Sequence, residues 1–416
     1  MKPRSFAPAV AFVLLAGAMI VPAANAVGRP TCLVSNERSG LGTRSLQAAV
    51  DAAAPGDTLV IKGTCFGSTT IAKSLTLRGR SNPAFGVPTL DGGGTGRVLF
   101  VDFFDADRRA FTLTVENLTI THGLGEDGNG GGGLLVQGGT IELRNSIVTG
   151  NSAGVLGGGG IQAHGGVMTL TNTTVSDNSA GDGGGGIYGG GVLTLNNSTV
   201  TGNTSRGLGG GLDFRGGTLT IRDSMLTGNS AFAGGAIFHL AGSVMVANST
   251  LSANRADHGG GIYNADNSPA RHTTMLIRNT NVSGNEATDG EGGGILNRGD
   301  LTLENSTVNG NNAATNGGGV ANVFGTLNIT SSVVSGNRAH TGGGIASFFG
   351  DLTFASPPTT VGGNTATIGG GVLYVVFPVA DSVTGACPTT LGGHVLYSPA
   401  NNPTDYSGFS CPAPGL

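Results

Sequence analysis

An asparagine returns at Asn151, Asn178, Asn203, Asn229, Asn254, Asn285, Asn311, Asn337 and Asn364, a step of about 26 residues. Six residues before the first eight stand Asn145, Asn172, Asn197, Asp223, Asn248, Asn279, Asn305 and Ser331. After each member of the first series comes a glycine cluster closed by one apolar residue, from Ile161 to Val372. A register kept this long restricts the chain to one small unit stacked many times, each unit burying its apolar side only against its neighbours. The same register separates this chain, with its 78 glycines and 11% charged residues, from a disordered glycine-rich tract.

One unit reads "LTLENSTVNGNNAATNGGGV", Leu301 to Val320. It holds three short strand signals and no helical spacing, so hydrogen bonding must run between units. Laid on one another at about 4.8 Å per coil, such units make an all-β parallel solenoid. Strand twist and the handedness of parallel connections predict a right-handed winding. Roughly eleven or twelve coils fit between Thr58 and Val376. Both asparagine columns are expected to point inward at coil corners, bonding backbone and each other. On that reading the N-x-S/T triplets at Asn117 and Asn197 cannot carry a sugar. The glycine triplet implies positive φ or backbones too close for a Cβ.

The ends differ from the middle. Residues 1–26 carry a basic start, an apolar run and an Ala24-Asn25-Ala26 exit, the pattern of a cleaved export signal. Residues 27–57 are expected to form an N-terminal cap, with a short helix from Ser45 presenting Leu46, Ala49, Val50 and Ala53 to one side. Residues 58–376 form the solenoid, and 377–416 a C-terminal cap or tail. Four cysteines at the two ends suit an oxidising compartment, and the local pairing Cys32–Cys65 with Cys387–Cys411 staples each end, although three pairings are open. The reading is therefore a secreted, periplasmic or cell-surface monomer with no integral membrane segment once the signal is removed. A formal net charge of -4 without a cationic stripe argues against nucleic acid as a partner.

The entry "SLQAAVDAAAPGDTLVI" followed by "KSLTLRG" resembles the start of pectin-lyase-like right-handed β-helix proteins, and the units resemble the bacterial right-handed β-helix repeat. Gly234-Gly235-Ala236-Ile237 is also similar to half of the polymorphic outer-membrane protein repeat. The resemblance implies a single-stranded right-handed parallel β-helix. That fold hosts lyases, hydrolases, epimerases and passive surface proteins alike.

Strand alternation places the residue after each Ile column outward. Tyr188, Asp213, Phe238 and Tyr263 then fall on consecutive coils, with Arg215 beside Asp213 and His164 nearby. Rings, an acid and a base meet here as they would to hold a linear glycan, so Tyr188, Asp213, Arg215 and Tyr263 are the expected ligand-binding set. An insertion after Tyr263, carrying Arg271 and His272, is expected to wall this face. His239 is expected to end a second internal ladder with Asn264, Asn297 and Asn322. Asp102, Asp105 and Asp107 lack a calcium-loop spacing, so no metal or other cofactor is expected. Outward threonines such as Thr169, Thr194, Thr220 and Thr302 form interrupted columns, a poor match for an ice-binding face.

No paired carboxylates for glycoside cleavage and no tryptophan-bearing lyase signature are found. The expected function is a passive or polysaccharide-binding surface or matrix protein. The alternative is a polysaccharide lyase or epimerase on an acidic glycan, with Asp213 and Arg215 as its weak catalytic candidates.

Overall fold

The computed structural model describes residues 31–367, apart from 104–109, 126–127, 156, 267–272, 356 and 358, together with backbone strands between 373 and 399. The expected export signal, Asp105, Asp107, Arg271, His272, Cys387 and Cys411 lie outside the described residues.

The described residues form a parallel β-solenoid of about 11 turns with one short helix. A coil runs through strands Ile161–Ala163, Val167–Thr171, Thr174–Ser176 and Ser179–Ala180, and a glycine loop then returns the chain to Ile187. Each strand pairs in parallel with its equivalent on the next coil. The apolar column Ile187, Leu212, Ile237, Ile262, Ile295, Val320 and Ile345 is in unbroken register. The fourth, two-residue strand departs from the expected three. It forms a ladder of ten strands whose buried alanines, Ala287, Ala313 and Ala339, pack on one another.

The two asparagine columns do different work. Asn178, Asn203, Asn229, Asn285, Asn311 and Asn337 point inward and are at most 1% exposed. Each Nδ2 donates to the Oδ1 of the next coil's asparagine at 2.9–3.0 Å, and also to a backbone carbonyl. The other column is outward, contrary to expectation. Asn145, Asn172, Asn197, Asp223, Asn248, Asn279, Asn305 and Ser331 hold φ between +46° and +51°, and all but the partly exposed Ser331 are exposed. Left-handed backbone favours a short polar side chain once glycine is excluded, which explains asparagine at this corner. The inward seat goes to the following residue: Ser198 Oγ donates to Asn196 O at 2.9 Å and accepts from Thr173 N at 3.2 Å. Asn117 and Asn197 are thus exposed, and burial gives no reason against a sugar at either.

The triplet Gly317-Gly318-Gly319 uses both properties expected of it. Gly317 has φ +63°, and a Cβ on Gly319 would lie 2.6 Å from Gly344 O of the next coil. One apolar core runs from Val34 to Val361. At its start helix α1 (Leu46–Ala52), N-capped by Ser45 accepting from Ala48 N at 3.2 Å, buries Leu46, Ala49 and Val50 in that core. Strand Cys32–Asn36 lies antiparallel on Thr58–Phe66, and Cys32 is disulfide-bonded to Cys65. Among the described residues no helix is long and apolar enough to cross a membrane.

Candidate functional site: a guanidinium–aromatic ladder

The register brings Tyr188, Asp213, Phe238 and Tyr263 to consecutive coils. Their side chains and those of two arginines form one line along the solenoid. The Arg215 guanidinium lies 5.5 Å from the Tyr188 ring centroid and 5.6 Å from that of Phe238. Phe238 meets Tyr263 edge to face at 5.3 Å, and the Arg298 guanidinium closes the line 5.5 Å from the Tyr263 ring. Cations over ring faces and edge-to-face rings are each mutually attractive, so the line holds itself together.

The column does not face open solvent as alternation predicts. Asp213 is 1% and Phe238 4% exposed, and Gln162, Leu296 and Ala321 are equally buried, because the glycine loop of each coil folds back over it. A Cβ on Gly183 would sit 2.7 Å from Asp213 Oδ2, and one on Gly157 2.6 Å from the Tyr188 ring. The first strand of each coil is therefore buried on both sides. Only Tyr188, Arg215, Tyr263 and Arg298 keep partial exposure.

Arg215 donates to Asp213 Oδ2 at 2.7 Å. Asp213 Oδ1 and Arg215 Nε are buried with no hydrogen-bond partner, as are Gln162 Oε1, Glu291 Oε2 and Arg298 Nε. These five are the majority of the nine such atoms among the described residues, so the unmet hydrogen-bonding capacity of the protein collects in this layer. Burial, opposed by the bond from Arg215, pushes the Asp213 carboxyl up to about 6.

That shift sets a pH dependence. Between the unfolded value near 3.9 and about 6 the folded state holds a proton that the unfolded state has released, so stability falls as pH rises through this window. Asp213→Asn, an isostere of the protonated acid, is expected to lack this fall and to gain about 2–3 kcal/mol on the parent between pH 4 and pH 7. Urea titrations of both chains across that range check it; parallel curves would contradict the assignment.

Other candidates separate from the ladder. His239 is fully buried, with Nδ1 2.7 Å from Asn264 Oδ1 and Nε2 3.0 Å from Ala241 O. The line continues through Asn264, Asn297, Asn322 and Ser347, an internal ladder beyond the reach of substrate. His164 Nε2 accepts from Gln162 Nε2 at 2.8 Å, two coils from Asp213, and burial lowers its basicity. The insertion after Tyr263 lies outside the described residues over 267–272. Thr169, Thr194 and Thr220 do stack in register, and Met245 and Leu276 interrupt them.

Sequence reasoning missed Arg298 and the buried face. The signal was present: the first strands read "LLVQ", "VANV" and "IASF", without the polar alternation of a half-exposed strand.

Residues 104–277 match the family described as right handed beta helix region. No curated protein and no solved structure matches the chain.

Proposed function

This chain is a right-handed parallel β-helix repeat protein, consistent with the pectin-lyase-like superfamily, and from that premise we propose an exported, monomeric, non-catalytic surface or matrix protein that holds an acidic polysaccharide along the Tyr188–Arg298 ladder. Arg298 carries the reading. Its guanidinium is partly exposed beside Tyr263, its Nε has no partner, and no ion pair joins it to a described carboxylate. A uronate carboxylate on a sugar ring stacked against Tyr263 would meet both needs. Arg215, already held by Asp213, is the second cation of the track, three coils away.

Catalysis is the weaker reading because Asp213, although the Asp182 carboxylate stands near enough to raise it, is sealed under its loop and bonded to Arg215, out of reach of a glycosidic bond. Export is supported by the composition of residues 1–26 and by the Cys32–Cys65 disulfide. We take α1 and the antiparallel strand Cys32–Asn36 as the cover of the first coil within 27–57, the repeat as 58–376, and 377–416 as the other end.

Electrophoresis through gels containing polygalacturonate tests this. The mature chain is expected to be retarded, and Arg298→Ala to weaken retention about tenfold, the value of one charge-assisted hydrogen bond. Asp213→Ala and Arg215→Ala separate the enzyme, which would lose turnover of the polymer to unsaturated products, from the binder, which would lose only retention. A parent chain that runs unretarded and releases no product sinks both.

A further inference from the structure

The turn between the first and second strands is normally left-handed glycine, as at Gly138 (φ +80°), Gly165 (φ +73°) and Gly191 (φ +86°). Two coils put phenylalanine there instead. Phe324 has φ +60° and Phe349 φ +56°, an arrangement that a bulky residue adopts only against steric strain. Burial does not offset that strain, for the two residues are 71% and 38% exposed. They lie 5.3 Å apart and within 18° of parallel, held by coil spacing and by Phe324 N donating to Phe348 O at 2.9 Å. Strain kept where glycine serves other coils points to use.

We propose that Phe324 and Phe349 are a stacking platform for the apolar face of a neutral, β-linked, glucose-type sugar ring, a site separate from the arginine ladder. The flanking column selects the ligand. Thr326 and Asp351 follow the two turns, and Asp300 follows the turn of the preceding coil, where Arg298 of the ladder sits; both carboxylates are exposed, and neither phenylalanine turn carries lysine or arginine. This charge repels uronates, nucleic acid and anionic lipid headgroups. Two rings also fall far short of the roughly 800 Å² per partner of a stable protein interface. A pyranose with equatorial hydroxyls offers a flat C–H face to the rings and directs its hydroxyls outward, where carboxylates accept them.

The test uses the mature full-length chain in gels containing hydroxyethylcellulose, with polygalacturonate gels alongside. The parent should be retarded by the neutral glucan. Phe324→Gly and Phe349→Gly, which restore the residue used on other coils, should each weaken that retardation roughly tenfold. Neither should lower Tm, and both should keep the Arg298-dependent retention on polygalacturonate, so the two sites fail separately. An unretarded parent, or variants retarded as strongly as the parent, overturns the proposal. So does a lower Tm in either variant, which would mean that the rings serve the stability of the solenoid rather than a ligand.

Discussion

Asn254→Leu is expected to lower stability by about 4 kcal/mol, while Thr250→Ala, four residues away, changes it by less than about 0.5 kcal/mol. Leucine fills the space of asparagine but meets none of its bonds. Asn254 Nδ2 donates to Leu226 O at 3.0 Å and to Asn285 Oδ1 at 2.9 Å. Its Oδ1 accepts from both Asn229 N and Asn229 Nδ2 at 3.0 Å. The substitution leaves a carbonyl, an amide N–H and part of a side-chain amide without partners, in a place where water cannot reach. Each such buried group costs about 1–3 kcal/mol. Thr250 projects outward from the third strand and only its partly exposed surface is lost. Guanidinium denaturation monitored by far-ultraviolet circular dichroism compares the two. A deficit for Asn254→Leu no larger than that for Thr250→Ala would mean that the inward column is not what ties coil to coil.

The inward column was legible because it is periodic and because an amide that must satisfy backbone at a corner has few substitutes. The outward column has the same period and nearly the same composition, so spacing alone could not tell them apart. What distinguishes them is the sign of φ, positive at Asn197 and its equivalents, together with the buried Ser198 that follows. The period also gave the coils and their stacking, and cysteine positions near one end gave Cys32–Cys65. Register gave Tyr188, Asp213, Phe238 and Tyr263 on successive coils. Their burial was hidden, since alternation describes one sheet and says nothing of a loop folding back over its outer face. Arg298 was hidden for a related reason. Its place beside Tyr263 depends on where the third position of the strand points once Leu296 is covered.

Gly318→Ala is expected to cost about 3–5 kcal/mol, against about 1 kcal/mol for Gly310→Ala, although both glycines belong to the same repeat. Gly310 is left-handed at φ +62°, and the nearest atom to a Cβ there is Gly284 N at 4.0 Å, so alanine meets only the backbone preference. A Cβ on Gly318 would press against Arg338 O and Gly343 O of the following coil, closer than real Cβ contacts allow. Those are backbone atoms and cannot rotate aside. The coils must part, which lengthens the bonds from Gly318 N to Gly342 O at 3.3 Å and from Gly319 N to Gly343 O at 3.1 Å. In a solenoid each coil is stabilised by its neighbours, so the weakened joint divides the array into two partly independent blocks. Amide hydrogen exchange should therefore quicken most on the coils at Val320 and Ile345 and least near Leu212. Uniform acceleration along the chain, or equal losses for the two alanine variants, would show that close contact between coils is not the reason for the triplet.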